Sequence, residues 1–360
     1  MEQNKKRVVI IGAGPAGLAA GYRLVNEKNE YEVIILEATT EIGGISKTIK
    51  YNGNRIDIGG HRFFTKSEEV QKFWNDIMPL QGKPSYDDKI LNTEKEFAKE
   101  GPDPEKTDNA MLLRNRVSRI YYLKKFFDYP ISLKFQTFKN MGLGNTIVSG
   151  FSYLKSIIIK KKEDSLENFY VNHFGKKLYS MFFEKYTEKL WGRHPSEIDA
   201  SWGAQRVKGV SIKAVLADAL KKVFHIKSKK VETSLIEQFL YPKYGPGQFY
   251  EKVATDFEKL GGKILKNYKV CKINYGKNRI ESIECTNGEK IEVDYLLSSM
   301  PIKDLIEAMD NENMDKNVKR IATNLPYRDF ITVGILLKKI DLKNVHKAAL
   351  MLGGILGHLP

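Results

Sequence analysis

The sequence predicts an α/β fold, with a parallel sheet at its centre and a helical insertion, from three observations. Two apolar runs at residues 8–11 and 33–36 are typical of buried strands, and the segment between them is typical of a helix. Apolar residues then recur at helical spacing through the middle of the chain. Short strand patterns return after residue 262, which indicates that the sheet domain resumes once the insertion ends.

The first strand leads directly into a glycine-rich turn at residues 12–17, G-A-G-P-A-G, and then into a predicted helix over residues 18–26. The second strand ends on Glu37. A G-x-G-x-x-G turn between a strand and a helix, with an acid closing the next strand, predicts a dinucleotide-binding unit. Without its flanking elements, the hexapeptide at residues 12–17 would be equally typical of an ordinary glycine-rich turn. A glutamate that binds two ribose hydroxyls and repels a 2′-phosphate favours FAD or NAD over NADP.

Each residue of this turn has a predicted role. Gly12 permits the tight turn, Gly14 lets the backbone approach a pyrophosphate, and Gly17 lets the helix lie close to the strands. Pro15 and Ala16 complete the predicted cofactor-binding turn, and the helix that follows offers N-terminal N–H groups and a dipole that attract phosphate groups.

Two glycine pairs follow this unit. Gly43-Gly44 comes soon after the second strand, and Gly59-Gly60 comes directly behind the run Arg55-Ile56-Asp57-Ile58. Only glycine lets the backbone lie very close to a large planar cofactor, because it has no side chain. Together with the first unit, these pairs resemble the FAD-containing amine oxidase and protoporphyrinogen oxidase superfamily.

That resemblance implies a Rossmann-like FAD-binding domain of the glutathione-reductase-2 type. We expect FAD to be held non-covalently, because no Cys or His lies in a tethering context near Gly43-Gly44. The first glycine pair would lie beside the ribose and pyrophosphate, and the Asp57 segment would run under the isoalloxazine ring. The backbone of Val270 would contact the adenine. The implied FAD contacts beyond residues 12–17 and Glu37 are Gly43, Gly44, Gly59, Gly60, Arg62 and Val270.

Two further motifs resemble those of UDP-galactopyranose mutases. The run at residues 186–192, Y-T-E-K-L-W-G, is similar to their Y-T-x-K-x-W-G, and residues 60–65 are similar to their G-A-H-x-F-H-T. The resemblance implies that Tyr186 and Trp191 line a sugar–nucleotide pocket and that His61 lies beside the flavin. The alternative roles of these three residues are purely structural: a tyrosine in the core, a tryptophan that closes a helix end, and a histidine that hydrogen-bonds to the backbone.

Cations that could grip a pyrophosphate are expected near that motif. The mutases carry an arginine fourteen residues after the motif tryptophan, where this chain has Gln205 with Arg206 beside it. We expect Arg206 to act at the catalytic site and Arg193 to bind substrate, with Lys208 as an alternative point charge. No metal site is predicted.

The 360 residues suffice for two domains. We predict a first segment of the FAD-binding domain at residues 1–84, an inserted, mostly helical substrate domain at 85–235, and a second FAD-binding segment with a β-meander at 236–342. Residues 343–360 carry no glycine-rich flavin contact, and we expect an atypical or truncated tail there.

The formal charge of +15 is concentrated in one block. Residues 113–162 contain eleven Lys or Arg and one acid, a local charge of +10. Such a block predicts contact with an anionic ligand or with a membrane surface, and the structural alternative is a helical face exposed to solvent. An apolar stretch at residues 151–159 that ends in Lys160-Lys161-Lys162 is typical of an interfacial helix and favours a peripheral membrane contact. No nucleic-acid partner is predicted.

The two cysteines form no C-x-x-C motif, which disfavours the flavoenzymes that relay electrons through a disulfide. No signal peptide precedes the first strand, and no apolar run approaches the roughly 20 residues of a spanning helix. A cytoplasmic protein is therefore expected, with membrane association and a homodimer left open.

Three functions fit these patterns. The first is a flavin-dependent mutase acting on a nucleotide sugar, or on another anionic small molecule, in cell-surface glycan synthesis. The second is an FAD-dependent oxidase or desaturase of the amine oxidase or protoporphyrinogen oxidase type. The third is an inactive, truncated flavoprotein or a membrane-associated binding module.

Overall fold

A computed structural model describes residues 5–27, 30–92, 95–116, 119–128, 135–203, 238–277, 279–309, 314–327, 329 and 331–336. The described residues form two compact units. Among the described residues, unit 1 takes those up to Arg114 and from Phe239 to Leu336, and unit 2 takes those from Asn115 to Gln238. No helix within these described ranges is long and apolar enough to cross a bilayer.

The first segment of unit 1 opens with the predicted strand, turn, helix and strand. Its elements are β1 (Lys6–Ile11), α1 (Pro15–Glu27), β2 (Tyr31–Glu37), a 3₁₀ turn (Gly44–Ser46), β3 (Thr48–Tyr51), β4 (Asn54–Asp57), α2 (Glu68–Ile77), α3 (Tyr86–Ile90) and β5 (Met111–Asn115).

Unit 2 is helical in its described residues apart from one hairpin. Its elements are β6 (Arg119–Tyr122), β7 (Lys125–Asp128), α4 (Phe135–Met141), α5 (Leu143–Ile158), α6 (Leu166–Tyr179), a π-helical turn (Ser180–Glu184), α7 (Lys185–Trp191) and a 3₁₀ turn (Pro195–Glu197).

The chain returns to unit 1 in a strand that pairs with β5. The returning elements are β8 (Gln238–Pro242), α8 (Pro246–Lys259), β9 (Lys263–Lys266), β10 (Val270–Tyr275), β11 (Ile280–Cys285), β12 (Lys290–Glu292), β13 (Tyr295–Ser298), α9 (Ile302–Ala308) and α10 (Lys316–Thr323).

A four-stranded parallel sheet in the order β13-β1-β2-β9 organises unit 1. Its two central strands are buried on both faces, so they carry continuous apolar runs instead of alternating ones. Ile10 and Ile35 pack in one cluster with Leu18 of α1 and Phe257 of α8. Val9 and neighbouring side chains on the opposite face pack in a second cluster with the antiparallel sheet β10-β11-β12.

Residues 85–109 are rich in polar side chains, yet part of this segment is buried. Ser85 caps α3, and Asp88 forms an ion pair with Lys95 in which both side chains are only 2% exposed. Gln81 also donates a hydrogen bond to Asp88, at 3.0 Å. Burial alone would raise the pKa of Asp88, but hydrogen bonds from Lys95, Gln81 and Ser85 hold it below its ordinary value.

This segment belongs to unit 1, so the structure places the boundary between the units after Arg114, where the sequence predicted it after residue 84. The polar composition was misleading because a charge in the interior is tolerated only when it is paired and hydrogen-bonded. Such pairing depends on residues that meet in the fold, and composition does not reveal it.

Within unit 2, a glycine separates α4 from α5. α4 ends before Gly142, which has φ +79° and stands at the N-cap of α5. The β6–β7 hairpin turns at Leu123-Lys124. Gly175 likewise interrupts α6 with φ +77°, and a Cβ there would lie 2.8 Å from the backbone nitrogen of Tyr153 in α5.

Candidate functional site

The glycine turn has the geometry that its sequence predicts. Gly12 has φ +98°, a conformation that L side chains rarely adopt, and its N–H donates to the Leu36 carbonyl at 2.7 Å. A Cβ on Gly17 would lie 1.9 Å from the Gly12 carbonyl oxygen, so α1 could not lie this close with any other residue. These two glycines hold the N-terminus of α1 at the end of β1.

The remaining glycine of the turn faces open space. A Cβ on Gly14 would meet one neighbour within 4 Å, the Gly44 Cα at 3.8 Å. Gly43, with φ +99°, ties its own segment to the turn because its N–H donates to the Ala13 carbonyl at 2.8 Å. Gly14 and Gly44 thus line a cradle at the N-terminus of α1, which begins at Pro15.

Glu37 stands buried at the end of β2, beside this cradle. One carboxylate oxygen accepts from the Ala13 N–H at 2.9 Å. The other accepts from the N–H and the hydroxyl of Thr39, each at 2.9 Å. Because a carboxylate offers about four acceptor positions, these bonds fix its orientation and leave capacity for a ribose hydroxyl.

Residues before β10 approach the same edge of the sheet. Tyr268 donates its N–H to the Glu37 carbonyl at 2.9 Å, and Asn267 donates to the Thr39 carbonyl at 3.1 Å. Val270, two residues further on, is buried in the cluster below β1 and β2. Val270 therefore lies two residues beyond a backbone contact with Glu37, and its contact with adenine stays a prediction.

The second glycine pair follows a carboxylate that is held by three segments of unit 1. Thr48 donates its hydroxyl to Asp57 at 2.8 Å and accepts from the Gly247 N–H at 3.0 Å. Tyr241 donates its hydroxyl to the second Asp57 oxygen. Burial raises the pKa of Asp57 above its ordinary value. This network fixes the end of β4, from which Gly59 and Gly60 emerge.

The pair itself is open on one side. Gly59 has φ +94°, and a Cβ on Gly60 would meet nothing within 4 Å among the described atoms. The Nδ1 atom of His61 is buried without a hydrogen-bond partner in the described parts of the chain. Arg62 is exposed, with its guanidinium 5.1 Å from the centre of the Phe239 ring.

These features fit a dinucleotide cofactor that carries a flavin. The cradle at Gly14 and Gly44 and the α1 N-terminus suit a pyrophosphate, and Glu37 suits a ribose. The bend at Gly59-Gly60 leaves room for a planar ring, and the unpaired Nδ1 of His61 offers a hydrogen bond beside it. All of these residues belong to unit 1.

In unit 2, α7 carries two of the predicted substrate contacts. Tyr186 is 43% exposed, and the Trp191 ring meets the Trp202 ring edge-on with centroids 4.4 Å apart. Five helical positions separate Tyr186 from Trp191, which places their side chains about 140° apart around the helix axis. They share a helix, but they do not leave it on the same side.

Of the cations predicted near this helix, Arg193 is the one that lies among the described residues. Gly192, with φ +63°, ends α7, and Arg193 follows it on the surface. Arg206 lies outside the described residues, as do Gln205 and Lys208. The π-helical turn directly before α7 is a local distortion of a kind that often occurs at functional sites.

Fold and glycine cradle together define a dinucleotide-binding flavoprotein. Residues 15–341 match the family described as flavin containing amine oxidoreductase. The chain therefore belongs to this family, and FAD is its cofactor.

The solved structures that resemble the chain share its fold. Reduced UDP-galactopyranose mutase gives a TM-score of 0.68 at 19% identity, covering 90% of this chain and 62% of that one. A putative protoporphyrinogen oxidase from Exiguobacterium sp. 255-15 gives 0.55 at 15% identity, covering 85% and 62%. The chain thus spans less than two thirds of the length of these two structures.

Among curated proteins, the similarity is local. The coproporphyrinogen III oxidase of Bacillus subtilis (strain 168) is 35% identical over 81 residues, which cover 21% of this chain and 17% of that protein.

Sequence reasoning missed the residues that support the cradle. Ser299 packs against Gly12, where a Cβ would lie 2.3 Å from its hydroxyl oxygen, and donates that hydroxyl to the Ile11 carbonyl at 2.7 Å. Thr48 and Tyr241 were missed as partners of Asp57. Ser299 and Tyr241 lie far from their partners in the sequence, so no local pattern could have identified them. Thr48 is only nine residues from Asp57 and faces it across the β3–β4 hairpin.

Proposed function

We propose that this chain is the flavin-binding part of a UDP-galactopyranose mutase-like enzyme that acts on a nucleotide sugar. The observation that carries this proposal is the aromatic pair of Trp191 and Trp202 with Arg193 beside it in unit 2. Aromatic faces stack on a nucleobase, and an arginine matches the charge and geometry of a phosphate.

Each residue of the proposed site has a physical task. Tryptophan rings would hold the uracil, and Arg193 would offset the charge of the pyrophosphate as it leaves the sugar. When bound, FAD supplies the reactive centre of the chemistry. In unit 1, Glu37 and the glycine cradle position that cofactor, and His61 offers its unpaired Nδ1 to a polar group at the flavin edge.

Tryptophan fluorescence tests the proposal directly, because the chain has three tryptophans and two of them form this pair. The third, Trp74, packs on Phe63 in unit 1, and Trp74→Phe removes its background signal. In that variant we expect UDP to quench the fluorescence saturably. Adding Trp191→Ala should weaken UDP binding about 5- to 100-fold, the effect of losing one stacked base.

Tyr51→Ala is the matched control, because Tyr51 is an aromatic residue of unit 1 that is 69% exposed. It should leave the UDP affinity unchanged. Absence of saturable UDP binding by the parent protein would contradict the nucleotide-sugar proposal while leaving the FAD site intact.

An FAD-dependent oxidase or desaturase is the second candidate, favoured by the family match over residues 15–341 and by the local identity to coproporphyrinogen III oxidase. Turnover assays distinguish the mutase from the oxidase or desaturase. A mutase is redox-neutral and requires reduced flavin, so UDP-galactopyranose should isomerise under dithionite without net consumption of reductant. An oxidase would instead consume oxygen with an amine or a porphyrinogen.

The third candidate, an inactive flavoprotein, predicts a different outcome. A protein that retains FAD after gel filtration but shows neither isomerisation nor oxygen consumption would match it. The visible spectrum of the purified chain is therefore the first measurement.

A further inference from the structure

Helix α5 of unit 2 exposes the side that its sequence would be expected to bury. Its only charged residue is Lys155, and a row of large apolar side chains faces outward. We call this row the α5 stripe: Leu143 (78% exposed), Ile147 (48%), Val148 (52%), Phe151 (69%), Leu154 (55%) and Ile158 (82%). At 100° per residue these positions fall within one arc of about 140°.

The opposite side of α5 is polar and buried. Ser149 and Ser156 are each 5% exposed, and the Ser149 hydroxyl has no hydrogen-bond partner among the described atoms. Ser152 accepts from the Lys177 N–H of α6 at 3.0 Å. Small side chains allow the backbones of α5 and α6 to meet closely at Gly175. An ordinary surface helix has the reverse arrangement, with its apolar stripe toward the core.

A second exposed apolar feature adjoins the start of α5. The tip of the β6–β7 hairpin places Leu123 and Lys124 at φ +51° and +57°, a conformation that usually selects Asn or Gly. Tyr121 and Phe126 pack beside it with their rings tilted by 48° and the ring centroids 5.0 Å apart, and each side chain is more than 40% exposed. Asn140 donates to the Phe126 carbonyl at 2.8 Å, which ties the tip to the segment directly before α5.

Cations accompany both features. Lys124 and Lys125 flank the hairpin tip, and Lys161 and Lys162 are exposed just beyond the end of α5. Lys160 differs, because its ammonium donates to the Asn172 carbonyl at 2.8 Å and helps to hold that segment. Large exposed apolar patches with cations at their borders are typical of surfaces that meet an anionic partner.

We propose that the α5 stripe and the hairpin tip dock unit 2 onto the interface of an anionic lipid bilayer. The helix has 16 residues, about 24 Å, which is shorter than a bilayer core, so it would lie in the plane of the membrane. Charge decides between lipid and a second copy of this chain. Two copies would bring like-charged lysines together, whereas anionic headgroups attract them.

Co-sedimentation of the full chain with vesicles tests this docking surface. Vesicles of phosphatidylcholine containing phosphatidylglycerol should bind the parent protein at low salt, and vesicles of phosphatidylcholine alone should bind it much less. F151Q/I158Q should weaken binding to the anionic vesicles on the order of 100-fold, because two apolar side chains no longer enter the interface. K161Q/K162Q should weaken it about 30-fold.

Matched variants in unit 1 control for general effects of polarity and charge. I302Q/V318Q replaces two apolar residues that are 57% and 48% exposed on α9 and α10, and K259Q/K269Q removes two exposed lysines. We expect both to bind within about three-fold of the parent, since these residues belong to unit 1 and not to the proposed docking surface, and salt screens the field of exposed charges. Far-UV circular dichroism and flavin content should match the parent for all four variants.

The proposal is overturned if the parent does not bind anionic vesicles at low salt, or if F151Q/I158Q binds as tightly as I302Q/V318Q. Light scattering identifies the competing arrangement. A dimeric parent that F151Q/I158Q makes monomeric, without vesicle binding, would assign the α5 stripe to contact between copies instead.

Discussion

The paired strands β1 and β2 and the helix α5 are both apolar in sequence, yet they end in opposite environments. Val9 and Ile35 are fully buried in the sheet, whereas Phe151 and Ile158 of α5 are 69% and 82% exposed. The strands have partners on both faces, helices on one and an antiparallel sheet on the other. α5 contacts α6 through its serine side. Apolar composition thus shows which side chains favour burial, and neighbouring elements decide which of them are covered.

The largest expected difference is in the free energy of unfolding. Ile35→Ala should lower it by about 2–5 kcal/mol, because it opens a cavity between β2 and α1. Ile147→Ala in the α5 stripe removes the same atoms from a half-exposed site and should change it by less than about 1 kcal/mol. Urea unfolding followed by circular dichroism measures both, and equal losses would mean that the α5 stripe is covered in the folded protein.

The glycines of the first unit separate folding from cofactor binding. Gly17→Ala should destabilise the protein by about 1–3 kcal/mol or prevent folding, because its Cβ would lie 1.9 Å from the Gly12 carbonyl oxygen. Gly14→Ala should leave the stability of the apoprotein nearly unchanged, since its Cβ would only touch Gly44. It should nevertheless lose FAD, because the methyl group occupies the cradle.

Thermal unfolding of the apoprotein and the ratio of flavin to protein absorbance distinguish these two effects. If Gly14→Ala retains FAD as the parent does, the pyrophosphate does not lie in this cradle.

The reactivity of the two cysteine thiols measures how well the cluster that contains Val9 is shielded from solvent. Cys285 lies in the same cluster as Val9, and burial raises the pKa of its thiol to about 11, while Cys271 is exposed. Because folding favours the neutral thiol, its stabilising contribution is complete below about pH 9 and is lost as the pH rises through about 11. Cys271 should react with a thiol reagent at pH 8 at once, and Cys285 only after unfolding.

A Cys271→Ser variant isolates the second thiol. Rapid labelling of Cys285 in this folded variant would show that the cluster opens readily, and would weaken the contrast with α5.

The smallest expected effect is a gain in the free energy of unfolding. Gly150 lies within α5, and a Cβ there would meet nothing within 4 Å in the described structure. Gly150→Ala should therefore raise the free energy of unfolding by about 0.5–1 kcal/mol, since alanine favours the helix. Denaturant titration measures this gain. A loss of stability instead would indicate that another segment packs against the outer side of α5 at this position.

The sequence predicted those features of the fold whose physical requirement involves only residues close together in the chain. The turn from β1 to α1 needs glycine at Gly12 for its positive φ and at Gly17 for close packing. This spacing, together with the flanking strand and helix patterns and Glu37, therefore predicted the dinucleotide-binding unit. Ser67 caps α2 by accepting a hydrogen bond from the Val70 N–H, three residues away, so the start of this helix is also set locally. Gly142 precedes α5 at φ +79°, a conformation that glycine adopts readily, and this requirement is local as well.

Only the tertiary structure decided what depends on distant partners. Asp88 and Lys95 are buried because they pair with each other and with Gln81, and the polar composition around them gave no sign of it. Asp57 is fixed by Tyr241, from a strand that follows the whole of unit 2. The same holds for α5, because the sequence predicts an amphipathic helix, and the close approach of α6 to its serines determines that the apolar side faces outward.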